Sequence, residues 1–207
     1  MKAQYILIFT LLLAMYNTAS ASDPEEFKGW ELAKSDEGVK VYTRKDPETG
    51  GRQVKAVTTV SASPQEAARL VKNSNAAPNW IHRMEAFETL EEKSDSVWYT
   101  WGKLNIPWPI SDKDVVSKNT LKQLPDDNGL SIELESKPEY IPEKDGLNRI
   151  KNSEGQWRFI SQPDGQTQII YQVFASSESI LPQFLVERVV IGSVHKTLGN
   201  MKDRLNR

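Results

Sequence analysis

The 207-residue sequence contains no cysteine and only two histidines, His82 and His195. The lack of cysteine excludes disulfides, thiolate metal sites and cysteine nucleophiles together. Because the two histidines lie far apart and no HExxH pattern is present, we expect no metal and no other cofactor. His195 and the nearby Ser193 fall inside a predicted helix, where a hydrogen-bonded histidine and an ordinary helical serine are the simpler interpretations.

An excess of positive charge is also missing, since 26 Lys and Arg stand against 28 Asp and Glu, for a formal net charge of −2. Without a basic stripe to displace counterions, nucleic acid is not an expected partner. The composition, 38% hydrophobic and 26% charged, is that of a globular chain. A chain of this length buries roughly 70% of its unfolded surface, so it holds a core without disulfides or metal.

Long hydrophobic runs are lacking as well, apart from a short one near the N-terminus. Lys2 precedes an apolar run from Tyr5 to Tyr16, and Ala19-Ser20-Ala21 supplies small residues. This pattern predicts a signal peptide over residues 1–21, cleaved after Ala21, followed by one domain over residues 22–207. An uncleaved anchor is the alternative, but the run has about a dozen residues, short of the roughly 20 that span a bilayer. An exported chain without cysteine favours the bacterial periplasm or secretion.

Hydrophobic residues of the remaining chain alternate mainly with a period of two, which indicates strands. The hairpin GVKVYTRK–RQVKAVTTV, joined by DPETGG, places Val39, Val41 and Thr43 on one face. Further strands are predicted over about 86–90, 96–104, 115–124, 130–136, 155–162 and 167–175. Asp23-Pro24 predicts a short helix through about Leu32, and Ser63 predicts a capped helix beginning at Pro64.

A long helix is predicted from about Ser179 to Leu205, with Pro182 in its first turn. Its first half, SILPQFLVERVVIGSV, is apolar almost all round, whereas its second half keeps one stripe of Leu198, Met201 and Leu205. A helix that is apolar on every side must be covered on every side. The order of elements predicts an α+β fold in which helices cover one face of an antiparallel sheet.

Three segments together resemble the START family of lipid-binding domains: GVKVYTRK after Trp30, the stretch ending in PWPISDKDVV, and GQWRFISQPDGQTQIIYQVFASSESILPQFLVERVV. The resemblance spans Trp30 to Leu205. It implies a helix-grip fold, in which a curved antiparallel sheet wraps around a long C-terminal helix and encloses an apolar cavity for one lipid or sterol-like molecule.

The resemblance also implies a set of site residues. We expect the cavity to be lined by Trp80, Trp98, Thr100, Trp101, Asn119, Arg158, Tyr171, Phe184 and Val189. We expect a lid made by LNIPWP and the start of the last helix, with Leu104, Ile106, Trp108, Leu181 and Leu185. For Arg158 the alternative is a solvent-facing charge between Trp157 and Phe159.

The sequence departs from the family pattern at Lys113, where arginine is common, and at ASSESILP, which lacks the frequent Asp-Pro-Gly-Gly. Some members bury an acid and a base in the pocket, at positions that match Thr100 and Asn119. Both are neutral here, so the resemblance implies a pocket with hydrogen bonds but no ion pair, for a ligand with few polar atoms. If the match to the family were shifted by one residue, Asn119 would lie on the other face of its strand.

The tryptophans around LNIPWP admit two interpretations. Trp98 and Trp101 are simplest as core aromatics with paired indole N–H groups. Trp108 lies between two prolines, which deny the segment ladder donors and favour a compact loop over the cavity mouth. Lys103 and Lys113 flank this loop, so transient contact with anionic lipid is expected too. Asp112 and Asp114 are interpreted as a turn that enters the next strand rather than as a catalytic pair.

The sequence therefore predicts a monomeric, non-enzymatic binder of one hydrophobic small molecule. The alternative is an enzyme on the same scaffold, such as a cyclase or hydrolase, which would need a buried acid or base with a shifted pKa. A third hypothesis is an interaction module whose groove receives a protein segment.

Overall fold

The structure is a computed structural model that describes residues 26–45, 52–108, 111–176 and 183–207, with only the backbone for residues 175–176 and 183–186. The predicted signal peptide, the helix start at Asp23-Pro24, the turn at 46–51 and Leu181 lie outside the described residues. The side chains of Phe184 and Leu185 lie outside them as well. Neither of the described helices is both long enough and apolar enough to span a membrane.

Ten described strands form one curved sheet in the order β1-β2-β3-β10-β9-β7-β6-β5-β4, with the short β8 parallel to β6. The helices are α1 (Pro64–Lys72) and α2 (Gln183–Leu205). The strands are β1 (Glu31–Asp36), β2 (Val39–Lys45), β3 (Arg52–Val60), β4 (Met84–Ser94), β5 (Val97–Leu104), β6 (Lys113–Gln123), β7 (Gly129–Ser136), β8 (Asn148–Arg149), β9 (Asn152–Ser161) and β10 (Thr167–Ser176). The predicted helix-grip α+β architecture is confirmed.

The helix predicted to run through Leu32 is wrong, because Leu32 lies in the edge strand β1, which pairs with β2. The turn between the two strands explains this. Glu37 and Gly38 both have positive φ angles, 50° and 74°, which is the geometry of a two-residue turn that joins antiparallel strands. Gly38 adopts this conformation without strain, so the glycine after Glu37 was the available sequence signal.

The helix predicted from its cap is confirmed in α1. The Ser63 hydroxyl accepts a hydrogen bond from the Glu66 backbone N–H, and the Glu66 side chain accepts one in return from the Ser63 backbone N–H. Two backbone donors that the first helical turn leaves free are thereby satisfied. Ala67 and Ala68 are the buried side chains of this helix, and α1 packs across β7 and β9.

Strand pairing divides the side chains between an inner face, which the helices cover, and an outer face. Directly paired residues lie on the same face, so the pairing of Val41 with Ala56 and of Ala56 with Tyr171 places all three on the inner face. The predicted alternation of β2 and β3 is confirmed by this register.

The tightly packed part of the core lies under the second half of α2. Leu198 and Met201 are fully buried there against strands of the sheet. Polar contacts fix this half of the helix: the Thr197 hydroxyl accepts from the His82 N–H at 3.0 Å, Asn200 donates to the Trp80 carbonyl at 3.0 Å, and Lys202 donates to the Glu37 carbonyl at 2.8 Å. The second half of α2 is therefore anchored at several points.

Candidate functional site

The inner face of the central strands is almost free of charge. The inward residues of β5, β6, β7, β9 and β10 are apolar, hydroxylated or amide side chains, and the one charged residue among them is Lys113, at the end of β6. Gly155 on β9 has no side chain, and the apolar Leu134 side chain of β7 lies over it, with Cδ1 3.0 Å from the position that a Cβ would take. The surface suits an apolar molecule with few polar atoms.

Aromatic rings form the centre of this face. Tyr171 stacks on Trp157, with ring centroids 4.0 Å apart. Trp80 contacts the same Trp157 ring edge-on, with centroids 5.9 Å apart. Trp80 is 1% exposed and comes from the 3₁₀ turn at 77–79, so a connection rather than a strand delivers it. Its indole N–H is buried without a hydrogen-bond partner among the described residues.

Tyr171 is the half-buried member of this aromatic group. Its phenol lies deep in the protein, and burial raises the pKa of Tyr171 to about 12. Part of the side chain nevertheless stays accessible. Tyr171 is therefore not packed on all sides, unlike the fully buried Trp80.

Several apolar residues around Tyr171 share this partial burial. They are Leu121, Leu134, Val173, Val190 and Ile191, which pack against the core but remain partly accessible. Every residue of α2 from Val189 to Ser193 is half-buried. The first half of α2 thus covers the sheet loosely, in contrast to the closely packed second half.

The polar pair Thr100 and Asn119 lies on the same inner face. The Asn119 amide nitrogen donates to the Thr100 hydroxyl at 3.1 Å and to the Trp98 and Ser117 carbonyls at 3.2 and 3.3 Å. Both side chains are buried. The register that brings these two positions together is therefore present, and the pair is neutral and internally hydrogen-bonded.

Two expected cavity residues point away from the cavity. Trp101 follows Thr100 directly in β5 and therefore lies on the outer face, where its indole N–H donates to Asp114 at 2.8 Å. Arg158 lies between the inward Trp157 and Phe159 and forms an ion pair with Glu26 on the outer face. Successive side chains of a strand point to opposite faces, so Trp101 and Arg158, each next to an inward residue, point outward. For Arg158 the outward alternative was the right one.

The remaining expected residues lie at different depths. Trp98 is buried on the inner face next to Asn119, and the Lys72 ammonium lies 5.3 Å from its ring centroid. Val189 is half-buried, and in the same turn of α2 Val190 and Ile191 pack against the core. His195 is buried, with Nε2 3.3 Å from the Asp36 carbonyl, as expected of a structural histidine.

The segment between β5 and β6 forms a loop whose base is tied down. The Asn105 N–H donates to the Arg83 carbonyl at 2.9 Å, and the Ile106 N–H donates to the Asp112 carboxylate at 3.0 Å. Leu104 and Ile106 are half-buried at this base, whereas Trp108 is 92% exposed. The loop therefore presents one large aromatic side chain to its surroundings from a fixed base.

An ion pair that the sequence did not predict, Asp114 with Arg149, lies next to this loop on the outer face. Asp114 accepts two hydrogen bonds from Arg149, and Arg149 also donates to the carbonyls of Pro138, Ile141 and Pro142. The two ionised side chains are buried, with 0% and 1% exposure. Asp114 points outward in β6, but 35 residues separate it from Arg149, so no local pattern could indicate the pair.

Comparison with known proteins gives one family match and several structural relatives. The model of the START domain, a family known for binding lipids and other hydrophobic ligands, matches residues 16–207. An uncharacterized protein of Pseudomonas aeruginosa is 28% identical over 198 residues, which cover 95% of this chain and 96% of the relative.

Solved structures agree with the fold. The chain is similar to the STAR-related lipid transfer protein of Xanthomonas axonopodis, with a TM-score of 0.77, 28% identity and coverage of 86% of this chain and 98% of that one. Human StAR-related lipid transfer protein 5 gives a TM-score of 0.72 at 19% identity, with 86% of each chain covered. The Zhui aromatase/cyclase from Streptomyces sp. R1128 gives 0.53 at 14% identity, covering 74% of this chain and 93% of that one, and shares the fold alone.

Proposed function

The chain belongs to the START domain family, and from this premise we propose that it binds one hydrophobic molecule without catalysing a reaction. The ligand lies between the inner face of the central strands and the first half of α2. The observation that carries this proposal is Tyr171, which lies on the inner face among aromatic rings but is only half-buried. Leu134 and Val173 beside it provide apolar walls.

The driving force of binding is the removal of apolar surface from water. At about 25 cal/mol per Å², a ligand that buries about 400 Å² gains on the order of 10 kcal/mol before the costs of association are subtracted. The aromatic rings of Trp157 and Tyr171 contribute large contact area with little conformational freedom to lose. Affinity of this origin depends on ligand shape more than on any single polar contact.

Catalysis is not part of the proposal because the described central strands supply no carboxylate or histidine on the inner face that could act as an acid or base. The described inward residues of the central strands include no carboxylate and no histidine, and Lys113 lies at the rim. Thr100 and Asn119 are hydrogen-bonded to each other and carry no charge. The similarity to an aromatase/cyclase concerns the fold alone and does not favour the enzyme alternative.

Entry and release require the first half of α2 and the loop at 105–112 to separate. Among the described residues, one ion pair, Arg52 to Glu187 at 3.4 Å, connects the first half of α2 to the sheet. The exposed Trp108 on the facing loop suits the interface of a membrane, because indole combines a large apolar surface with one polar group. Lys103 is engaged by Glu85 at 2.8 Å, so we propose that Trp108, rather than charge, makes transient membrane contact during transfer.

The remaining parts of the proposal come from the sequence. The protein is exported as a monomer to a periplasmic or extracellular location after removal of residues 1–21, and residues 22–207 act as one lipid-binding domain. Molecular mass and N-terminal sequencing of the protein purified from its host test these points. A retained leader would favour the anchor alternative.

Mass spectrometry of native protein purified from its host tests ligand binding directly. We expect one apolar molecule per chain, released by mild organic extraction. Leu134→Trp, which fills the cavity, abolishes this occupancy, whereas the matched Gln156→Trp on the outer face leaves it unchanged. A protein that is empty on isolation and takes up no sterol, fatty acid or phospholipid contradicts the proposal.

A further inference from the structure

The charge of the inner face restricts the chemistry of the ligand. Within the described central strands, the inward side chains provide no partner for a charged headgroup except Lys113, which lies at the rim beside Leu104. A charge carried into this region loses its hydration and gains no counter-ion, which is strongly unfavourable. A charged polar end would therefore lie unpaired against these strands.

The buried amide of the inner face already uses its donors within the protein. The amide nitrogen of Asn119 donates within the protein to Trp98, Thr100 and Ser117. Its donors are thus unavailable to a ligand. Any donor for a ligand oxygen must come from another inward side chain.

Tyr171 provides such a donor. Its hydroxyl has no hydrogen-bond partner among the described residues, and burial alone accounts for the raised pKa of its phenol. Stacking on Trp157 at 4.0 Å holds the ring in place on the inner face. A neutral phenol that is held rigidly and is only half-buried is prepared to donate to an acceptor in the proposed cavity.

We propose that the Tyr171 hydroxyl donates a hydrogen bond to the polar end of the ligand, and that the ligand is an uncharged amphiphile whose polar end is an acceptor oxygen. Ester, ketone and alcohol oxygens fit this description, whereas carboxylates and phosphates do not. This inference rests on the proposed function, because it assigns the ligand class of the same cavity.

Three probes with similar alkyl chains separate the contributions of apolar burial, of the hydrogen bond and of charge. Dodecane, methyl dodecanoate and dodecanoate are tested at pH 7.5 for displacement of the neutral fluorophore N-phenyl-1-naphthylamine from the full chain. We expect methyl dodecanoate to bind about tenfold more tightly than dodecane because of one hydrogen bond. We expect dodecanoate to bind at least about tenfold more weakly than the ester because its charge is unpaired.

The variant Tyr171→Phe removes only the hydroxyl. We expect it to weaken methyl dodecanoate about tenfold and to leave dodecane unchanged. Tyr42→Phe on the outer face, where Tyr42 contacts Phe27 with centroids 4.8 Å apart, is the matched control and changes neither probe. If Tyr171→Phe does not fold, the difference between ester and carboxylate in the wild-type protein still tests the exclusion of charge, because the two probes share the same alkyl chain.

The outcomes separate this inference from the proposed function. Equal affinity of the wild-type protein for ester and carboxylate, or an unchanged ester affinity in Tyr171→Phe, overturns the inference while ligand binding stands. Failure of the fluorophore and all three probes to bind overturns both.

Discussion

Arg149 donates two parallel hydrogen bonds to Asp114 on the outer face, from Nε to Oδ1 at 2.9 Å and from Nη2 to Oδ2 at 2.8 Å. The same guanidinium holds three backbone carbonyls of the segment at 138–142. Next to this pair, the Asn148 N–H donates to the Asp112 carbonyl at 3.1 Å. The buried ion pair therefore joins β6, the segment after β7 and the base of the Trp108 loop.

Asp114→Asn is expected to destabilise the protein by about 3–5 kcal/mol, because it leaves the buried Arg149 charge without its counter-ion. Urea denaturation followed by circular dichroism measures the loss. Glu135→Gln, which removes an exposed partner of Lys137, is the matched control and costs less than about 1 kcal/mol. Equal effects of the two substitutions would contradict a structural role for the buried pair.

The same pair gives the protein an acid-sensitive component. Burial alone would raise the pKa of Asp114, but hydrogen bonds from Arg149 and Trp101 together with the Arg149 charge hold that pKa below its ordinary value of 3.8. The stabilisation is present above about pH 4 and is lost as the pH falls through the lowered pKa. We expect the unfolding free energy of Asp114→Asn to depend less on pH below about pH 4 than that of the wild-type protein. The same pH dependence in both proteins would contradict this role of Asp114.

Trp108→Ala is expected to weaken binding to phosphatidylcholine vesicles about tenfold, because a fully exposed indole is available for burial in the interface. Its effect on the free energy of unfolding stays within about 0.5 kcal/mol. Vesicle sedimentation and urea denaturation measure the two quantities. Leu32→Ala, which removes another exposed apolar side chain from the edge strand β1, leaves vesicle binding unchanged. Lost stability with unchanged vesicle binding would contradict the proposed membrane contact of Trp108.

Leu198→Ala and Leu134→Ala test where the closely packed core ends. Leu198 is fully buried, so its truncation costs about 2–5 kcal/mol. Leu134 is only partly buried and lines the proposed cavity, so its truncation removes fewer contacts and costs about 1 kcal/mol in ligand-free protein. Urea denaturation of delipidated protein compares them. Similar costs at the two positions would mean that no cavity adjoins Leu134.

Tyr171 predicts a loss of stability at alkaline pH. Below pH 10 the phenol is neutral in both folded and unfolded protein, whereas between pH 10 and 12 only the unfolded form ionises, since burial raises the folded pKa to about 12. This difference removes about 3 kcal/mol of stability from the folded state over that interval. Unfolding free energies at several pH values should show a smaller alkaline decline in Tyr171→Phe than in the wild-type protein or in Tyr42→Phe. Identical alkaline declines would mean that Tyr171 titrates normally.

Local patterns in the sequence were sufficient for the regular elements. The Ser63 cap, the alternation around Val41 and Val54, and the apolar stripe through Leu198 each act over a few residues, and each is present in the structure. The resemblance to START domains supplied the wrapping of the sheet around α2. The period of two could also have placed Trp101 opposite Thr100, so that error did not require the structure to correct it.

Tertiary structure alone decided which residues meet. The sequence determined that a long helix with an apolar first half covers an antiparallel sheet, because hydrophobic period and capping are local properties. It could not determine that Arg149 neutralises Asp114, that Tyr171 stacks on Trp157, or that Asp112 ties down the base of the loop that carries Trp108. These contacts depend on strand register and on the path of distant connections. Their free energy arises from burial and charge pairing, which exist only once the chain is folded.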